Sequence, residues 1–179
     1  MNRNAIICEG AAEEAIIEIL LNHSLLLIES DENLLEDGPI RVRSADEFCE
    51  KYLGRDFDGK VDVYRILDSR REQFSFKTRK KAKLYEEKLN IHNIITAPEI
   101  EILIIISENK YQAFLKSKEK PSDFCKKKLK MKSVKSYQFV KEYFEDPDKL
   151  LNAIKIYHQK KHKATEEETL YDLLKSTSH

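Results

Sequence analysis

Few residues in this chain are there to bend it. Four glycines and four prolines in 179 residues leave little turn punctuation, so most of the chain is expected in regular structure, with helix dominant. The three cysteines, Cys8, Cys49 and Cys125, are odd in number, far apart and outside the paired spacings of a zinc site. That argues against a disulfide framework and a structural zinc, and all three read as reduced thiols. Net charge is also missing: 32 Lys+Arg balance 32 Asp+Glu, so only a local cluster, not the overall charge, can recruit a nucleic acid or a membrane. No apolar run approaches the roughly 20 residues needed to span a bilayer, and the short apolar run after Met1-Asn2-Arg3-Asn4 is too brief for a secretory signal. A cytoplasmic protein with no membrane partner is the expectation. Internal repeats, low-complexity stretches, a Walker loop, a GxGxxG turn and any Ser/His/Asp or Cys/His constellation are absent from the sequence as well.

What remains is a heavily charged chain, 36% charged and 41% hydrophobic, long enough for one domain that buries roughly two thirds of the surface its unfolded form exposes. Asn4 to Cys8 reads as a short buried strand. Ala11 to His23 then places Ala12, Ala15, Ile16, Ile19 and Leu20 on one helical face. Ser24 to Glu29 reads as a second apolar strand, completing a βαβ unit, and Ile40 to Arg43 as a short further one after an acidic loop containing Gly38-Pro39. Ser44-Ala45-Asp46-Glu47 has the form of a capping box opening a helix to about Leu53. Asp58-Gly59 turns into a strand over 61–68, Lys77 to Leu89 follows as a charged helix, and Ile91 to Ile95 as another strand. Four or five short apolar strands alternating with helices predict an α/β fold with a mostly parallel sheet covered on both faces. Thr96-Ala97-Pro98-Glu99 resembles a second capping box, opening a long apolar helix from Ile100 to Leu115. From Pro121 the chain is Lys-rich and helical, with Pro147 and Thr165-x-x-Glu168 marking further starts. The division expected is a sheet-containing core at 1–95 continued by a helical portion at 96–179, in one unit.

Two strands end in an acid: Glu9 closes the first, and Asp68 the run from Val61. In open parallel sheets ligands bind in the crevice outside the carboxyl ends of the strands, so these carboxylates converge if their strands are neighbours. Glu9 and Asp68 are the candidate metal ligands. The ion expected is Mg²⁺ or Mn²⁺, a hard cation that takes a few carboxylates, keeps several waters and completes its shell from phosphate oxygens. Glu13, one turn along the helix, is the auxiliary acid, and Gly10 allows close approach of backbone to a phosphate. Each acid alone also suits a plain role, as a helix-start acid or a cap. Arg70, Arg71 and Lys77, following Asp68, are the candidate contacts to a nucleic-acid backbone; Arg79 to Lys81 and the cluster Lys126-Lys127-Lys128 read as solvated helix faces. Glu99 reads as a cap, whereas Glu101, amid apolar neighbours, is harder to dismiss. His158 and His162, at i, i+4 spacing, read as surface.

The stretch Ile6-Ile7-Cys8-Glu9-Gly10-Ala11-Ala12-Glu13, followed by Ile66-Leu67-Asp68-Ser69-Arg70, resembles the Toprim domain, in particular the small Toprim-like proteins of bacterial defence systems related to the OLD nucleases and the RloB-like group. The run from Thr96 to Leu103 is similar to the helix start of the RloB-like group. The resemblance covers about residues 4–105. It implies a Rossmann-like sheet, a Glu after the first strand and an Asp-x-Asp after a later one, binding Mg²⁺ to cut or rejoin nucleic-acid backbone, with an ATPase partner in phage defence. Arg70 stands where that family has its second Asp, so the site needs Glu13, Glu101 or a partner chain to complete it. The expectation is a metal-dependent nuclease acting on DNA or RNA, a homodimer being left open. The competing expectation is a catalytically degenerate module that works through a protein partner.

Overall fold

The structure, a computed structural model, describes residues 3–28, 33–54, 57–161 and 167–175. Its centre is a parallel sheet of three strands, β1 (Arg3–Cys8), β2 (Val61–Leu67) and β3 (Leu89–Ile95), in the order β1-β2-β3. The strands are apolar where both faces are buried, at Ala5, Ile6, Ile7 and Cys8 of β1 and at Ile66 and Leu67 of β2, whereas β3 exposes Asn90, Ile91 and Asn93. On one face Ile6, Cys8, Ile66 and Ile94 join a large hydrophobic cluster; on the other Ala5, Ile7, Val61, Val63 and Leu89 join a smaller one with Phe48 and Leu53. Alternate residues of β1 thus feed opposite cores, as the two-residue period of a strand requires.

Helix α1 (Ala11–Asn22) buries the expected stripe. It also buries Ile17 and Leu21, since α7 (Tyr137–Tyr143) packs against it. Helix α2 (Ala45–Tyr52) starts as its sequence implies: the Ser44 hydroxyl accepts the Glu47 N–H at 3.2 Å. The Glu47 carboxylate, however, accepts from the Arg43 N–H at 3.2 Å, one residue earlier than a reciprocal box requires. Helix α3 (Arg79–Tyr85) is capped by Thr78 and ends in a single 3₁₀ turn, Glu86–Lys88, so Leu89 begins β3 and does not belong to the helix.

Two expected strands do not form. Ser24 to Ile28 folds as a turn; Leu26 bridges Leu174 near the C-terminus, and Leu27, 61% exposed, faces solvent. Glu29 lies outside the described residues. The second strand of the parallel unit is therefore β2, reached after a much longer connection. Ile40 to Arg43 contributes only one bridge, Ile7 to Ile40. Along that edge of β1, bridges at Asn4–Leu34 and Ile7–Ile40 enclose two residues on β1 but five on its neighbour, so the Glu36-Asp37-Gly38-Pro39 segment bulges out and the ladder cannot become regular.

The long helix expected from Ile100 to Leu115 is two helices, α4 (Ile102–Ser107) and α5 (Tyr111–Ser117), separated at Asn109, which takes the left-handed conformation with φ 57°. The Thr96–Glu99 box is also absent. The Ala97–Pro98 bond is cis, and the Glu99 carboxylate accepts from the Ser122 N–H at 2.8 Å, serving the start of α6 (Pro121–Lys128). Helix α8 (Pro147–Lys161) packs on α4, and a final segment, with Thr169 and Asp172 forming a reciprocal cap, returns across the end of β3. Thr165 and His162 lie outside the described residues. Ile6 and Leu173 belong to one hydrophobic cluster, so the helical portion is packed onto the sheet. Among the described residues no helix is long and apolar enough to cross a membrane.

Candidate functional site

Pairing of Cys8 with Ile66 puts the carboxyl ends of β1 and β2 side by side. Glu9 is the first residue beyond β1 and Asp68 the first beyond β2, so both leave the sheet at the same end, Asp68 one residue further along than the level of Glu9. They line one cavity of about 250 Å³, together with Glu13 from the first turn of α1, Glu101 from the start of α4, and Lys135 from the loop before α7. Four separate segments of chain supply its polar lining.

Glu13 folds back over the helix start. A Cβ added at Gly10 would lie 2.3 Å from Glu13 Oε2, so the glycine leaves room for the chain's own carboxylate, and the space above it is not open to a phosphate. Glu13 is only 8% exposed and Glu101 only 3%.

Burial is the main reason that all four carboxyls have raised pKa values, and for Glu13, Asp68 and Glu101 neighbouring acids add to it. For Glu9 burial leads, Glu72 and Asp68 add to it, and Arg65 opposes. For Glu101 the carboxyl is pushed up to about 7, by burial first, with Glu99 and Glu13 adding and Lys135 opposing. Lys135 is the cation of the ring: burial alone would lower its pKa, but Glu101, Glu99 and Asp68 raise it on balance. Its ammonium is 3.1 Å from Glu99 and 4.0 Å from Glu101.

Arg65 lies beneath the cavity in the middle of β2, 3% exposed. Its guanidinium is 3.7 Å from Glu9, donates to the Asn93 side chain at 3.1 Å, and stacks over Phe74 with 5.0 Å to the ring centre. The guanidinium is a buried countercharge to Glu9.

Asp68 also lines a second cavity of about 540 Å³, together with Glu99 and the basic groups Arg70, Arg71 and Lys120. The two cavities share Asp68 as a wall, the first richer in acids and the second in basic groups. Arg70 does not turn onto Glu9 or Asp68. It makes a forked pair with Glu167, its Nη2 donating to Oε2 at 2.8 Å. Lys77 lines neither cavity: its backbone N–H is bonded to Asp46 at the start of α2, at 2.6 Å. Arg79, Lys80 and Lys126 to Lys128 are exposed on their helices, whereas Lys81 is half-buried and pairs with Asp46 at 3.3 Å and with Glu50.

The strand-end logic thus gathers Glu9, Asp68 and Glu13, with Arg70 and Arg71 next door, and leaves Lys77 out. Arg65, Lys120 and Lys135 escaped the sequence reading. A cation within the apolar run Val63-Tyr64-Arg65-Ile66-Leu67 was a signal for the first; the lysines are indistinguishable in sequence from their many neighbours.

Four oxygen-donor carboxylates against one ammonium and one buried guanidinium suit a hard divalent cation in kind. Among the described residues no three His, Cys, Asp or Glu side chains are already gathered as a metal-holding group. An ion here would take one or two carboxylates and keep much of its water, the habit of Mg²⁺. Comparison with protein-family models, with curated proteins and with solved structures finds no match to this chain.

Proposed function

We propose that this protein is a metal-dependent nuclease that cleaves nucleic-acid phosphodiesters, working at the crevice beyond β1 and β2. The observation that carries the reading is the meeting of Glu9, Glu13 and Asp68 at one cavity, on carboxyls whose pKa values burial and neighbouring acids raise. Such a set gains from a cation. Glu9 and Asp68 are the ligands of Mg²⁺ or Mn²⁺, with Glu13 as the auxiliary acid. The ion, when bound, polarises the phosphoryl group and supplies an activated water.

The chain's own groups do the rest. Arg65 stands 3.7 Å from Glu9 Oε1 and offsets the charge of that carboxylate, which serves as general base as well as ligand. Arg71 and Lys120, with Arg70 once it is released, hold flanking phosphates in the basic cavity. The resemblance adds the setting, phage defence beside an ATPase partner.

Purified protein with Mn²⁺ is expected to nick plasmid DNA or labelled RNA, and Glu9→Gln or Asp68→Asn to slow this by at least about 10²-fold. Cleavage by either variant at the wild-type rate rejects the assignment. One observation favours the competing reading of a non-catalytic module acting through a protein partner: Arg65 and Lys135 already offset part of the carboxylate charge. That reading predicts no cleavage with any divalent ion and a wild-type chain that binds none.

A further inference from the structure

The segment that returns across the sheet carries a carboxylate to the place where a substrate phosphate belongs. Ile95 N–H donates to the Glu168 carbonyl at 2.8 Å, Glu168 faces His92 at 3.5 Å, and Thr169 and Asp172 cap the turn that follows. These contacts fix Glu167, whose two carboxylate oxygens engage the Arg70 guanidinium as a fork while Lys161 stands 3.6 Å away. A carboxylate fork on arginine has the same geometry and charge sign as two phosphate oxygens on arginine. Arg70 in turn borders the cavity that also contains Arg71 and Lys120 and is walled by Asp68.

We propose that Arg70 is an anion subsite for a nucleic-acid phosphate and that Glu167 is its built-in competitor, holding the fork until a phosphodiester displaces it. This rests on the nucleic-acid reading of the neighbouring cavity. The chain thereby lowers its affinity for incidental anions, and a polyanion that engages Arg71 and Lys120 at the same time wins the exchange. The apparent affinity for phosphate is the intrinsic one reduced by the fraction of molecules in which Arg70 is free.

The test is fluorescence anisotropy with a labelled oligothymidylate in EDTA, which reads binding without cleavage. Glu167→Gln is expected to tighten binding by about two- to fivefold, the scale of an exposed ion pair. Arg70→Ala is expected to weaken it, and Arg70→Ala combined with Glu167→Gln to show none of the gain. Glu168→Gln removes the same charge one residue away and controls for net charge; it is expected to change affinity by less than Glu167→Gln. If the wild type binds but Glu167→Gln binds no tighter, or Glu168→Gln gains as much, or the gain survives in the double variant, the competitor role is wrong while the nucleic-acid reading stands. If none of the proteins binds the oligonucleotide, both fall. Circular dichroism of each variant against the wild type secures that the comparison is between folded chains.

Discussion

Glu101 sits almost without solvent at the start of α4, and burial, with Glu99 and Glu13 nearby, pushes its carboxyl up to about 7 from an ordinary 4.5. The folded chain holds this proton to a higher pH than the unfolded chain does. The stability linked to it is fully present below about 4.5 and is lost as pH rises through about 7. Glu101→Gln, neutral at every pH, is therefore expected to stabilise the protein by up to about 3 kcal/mol at about pH 8 and to do little at about pH 4. Urea unfolding at the two pH values checks this; an equal change at both contradicts it. Glu9 and Asp68 are legible in the sequence because each follows a strand whose carboxyl end faces the ligand crevice, and Glu13 because it lies one helical turn from Glu9. Arg65 was concealed by the strand pattern, and Lys135 reaches the cavity through a loop contact that no local rule encodes.

Among the elements, helix α1, strands β2 and β3, and the Ser44 cap follow directly from periodicity and turn chemistry. Two pieces that depart from the expectation share a cause: apolar content does not decide element type. Ser24 to Ile28 buries Leu26 and Ile28 but finds its partner in the C-terminal segment, a long-range pairing invisible to any local window. The run from Ile100 looked like one long helix because Ser107-Glu108-Asn109-Lys110 is short and polar without glycine or proline. Yet Asn109 accepts φ 57°, and Lys110 N–H turns back to the Ile105 carbonyl at 3.0 Å, closing α4. Asn tolerates this conformation through its short polar side chain. Asn109→Val is expected to cost about 1–2 kcal/mol, with Asn109→Gly near neutral, in thermal unfolding. A neutral valine would show that the turn is not what ends α4.

At the scale of the molecule, the same sheet serves as core and as platform. Each face carries a hydrophobic cluster, and the larger one also takes in residues of α4, α6, α7 and α8, so the helical half is a cover for one face of the sheet. Polar chemistry is thereby driven to the one rim where β1 and β2 end. There the acidic and basic cavities meet at Asp68. A chain with no net charge has concentrated unlike charges into neighbouring chambers, an arrangement suited to a ligand that carries both a cation and phosphates. The most direct measurement is calorimetric titration of Mn²⁺ into the wild-type chain and into Glu9→Gln and Asp68→Asn, at about pH 8 so that the carboxyls are ionised. A saturable heat in the wild type, lost in both variants, is the predicted result. No heat in the wild type, or the same heat in all three proteins, would contradict the claim that the two strand ends share one ion.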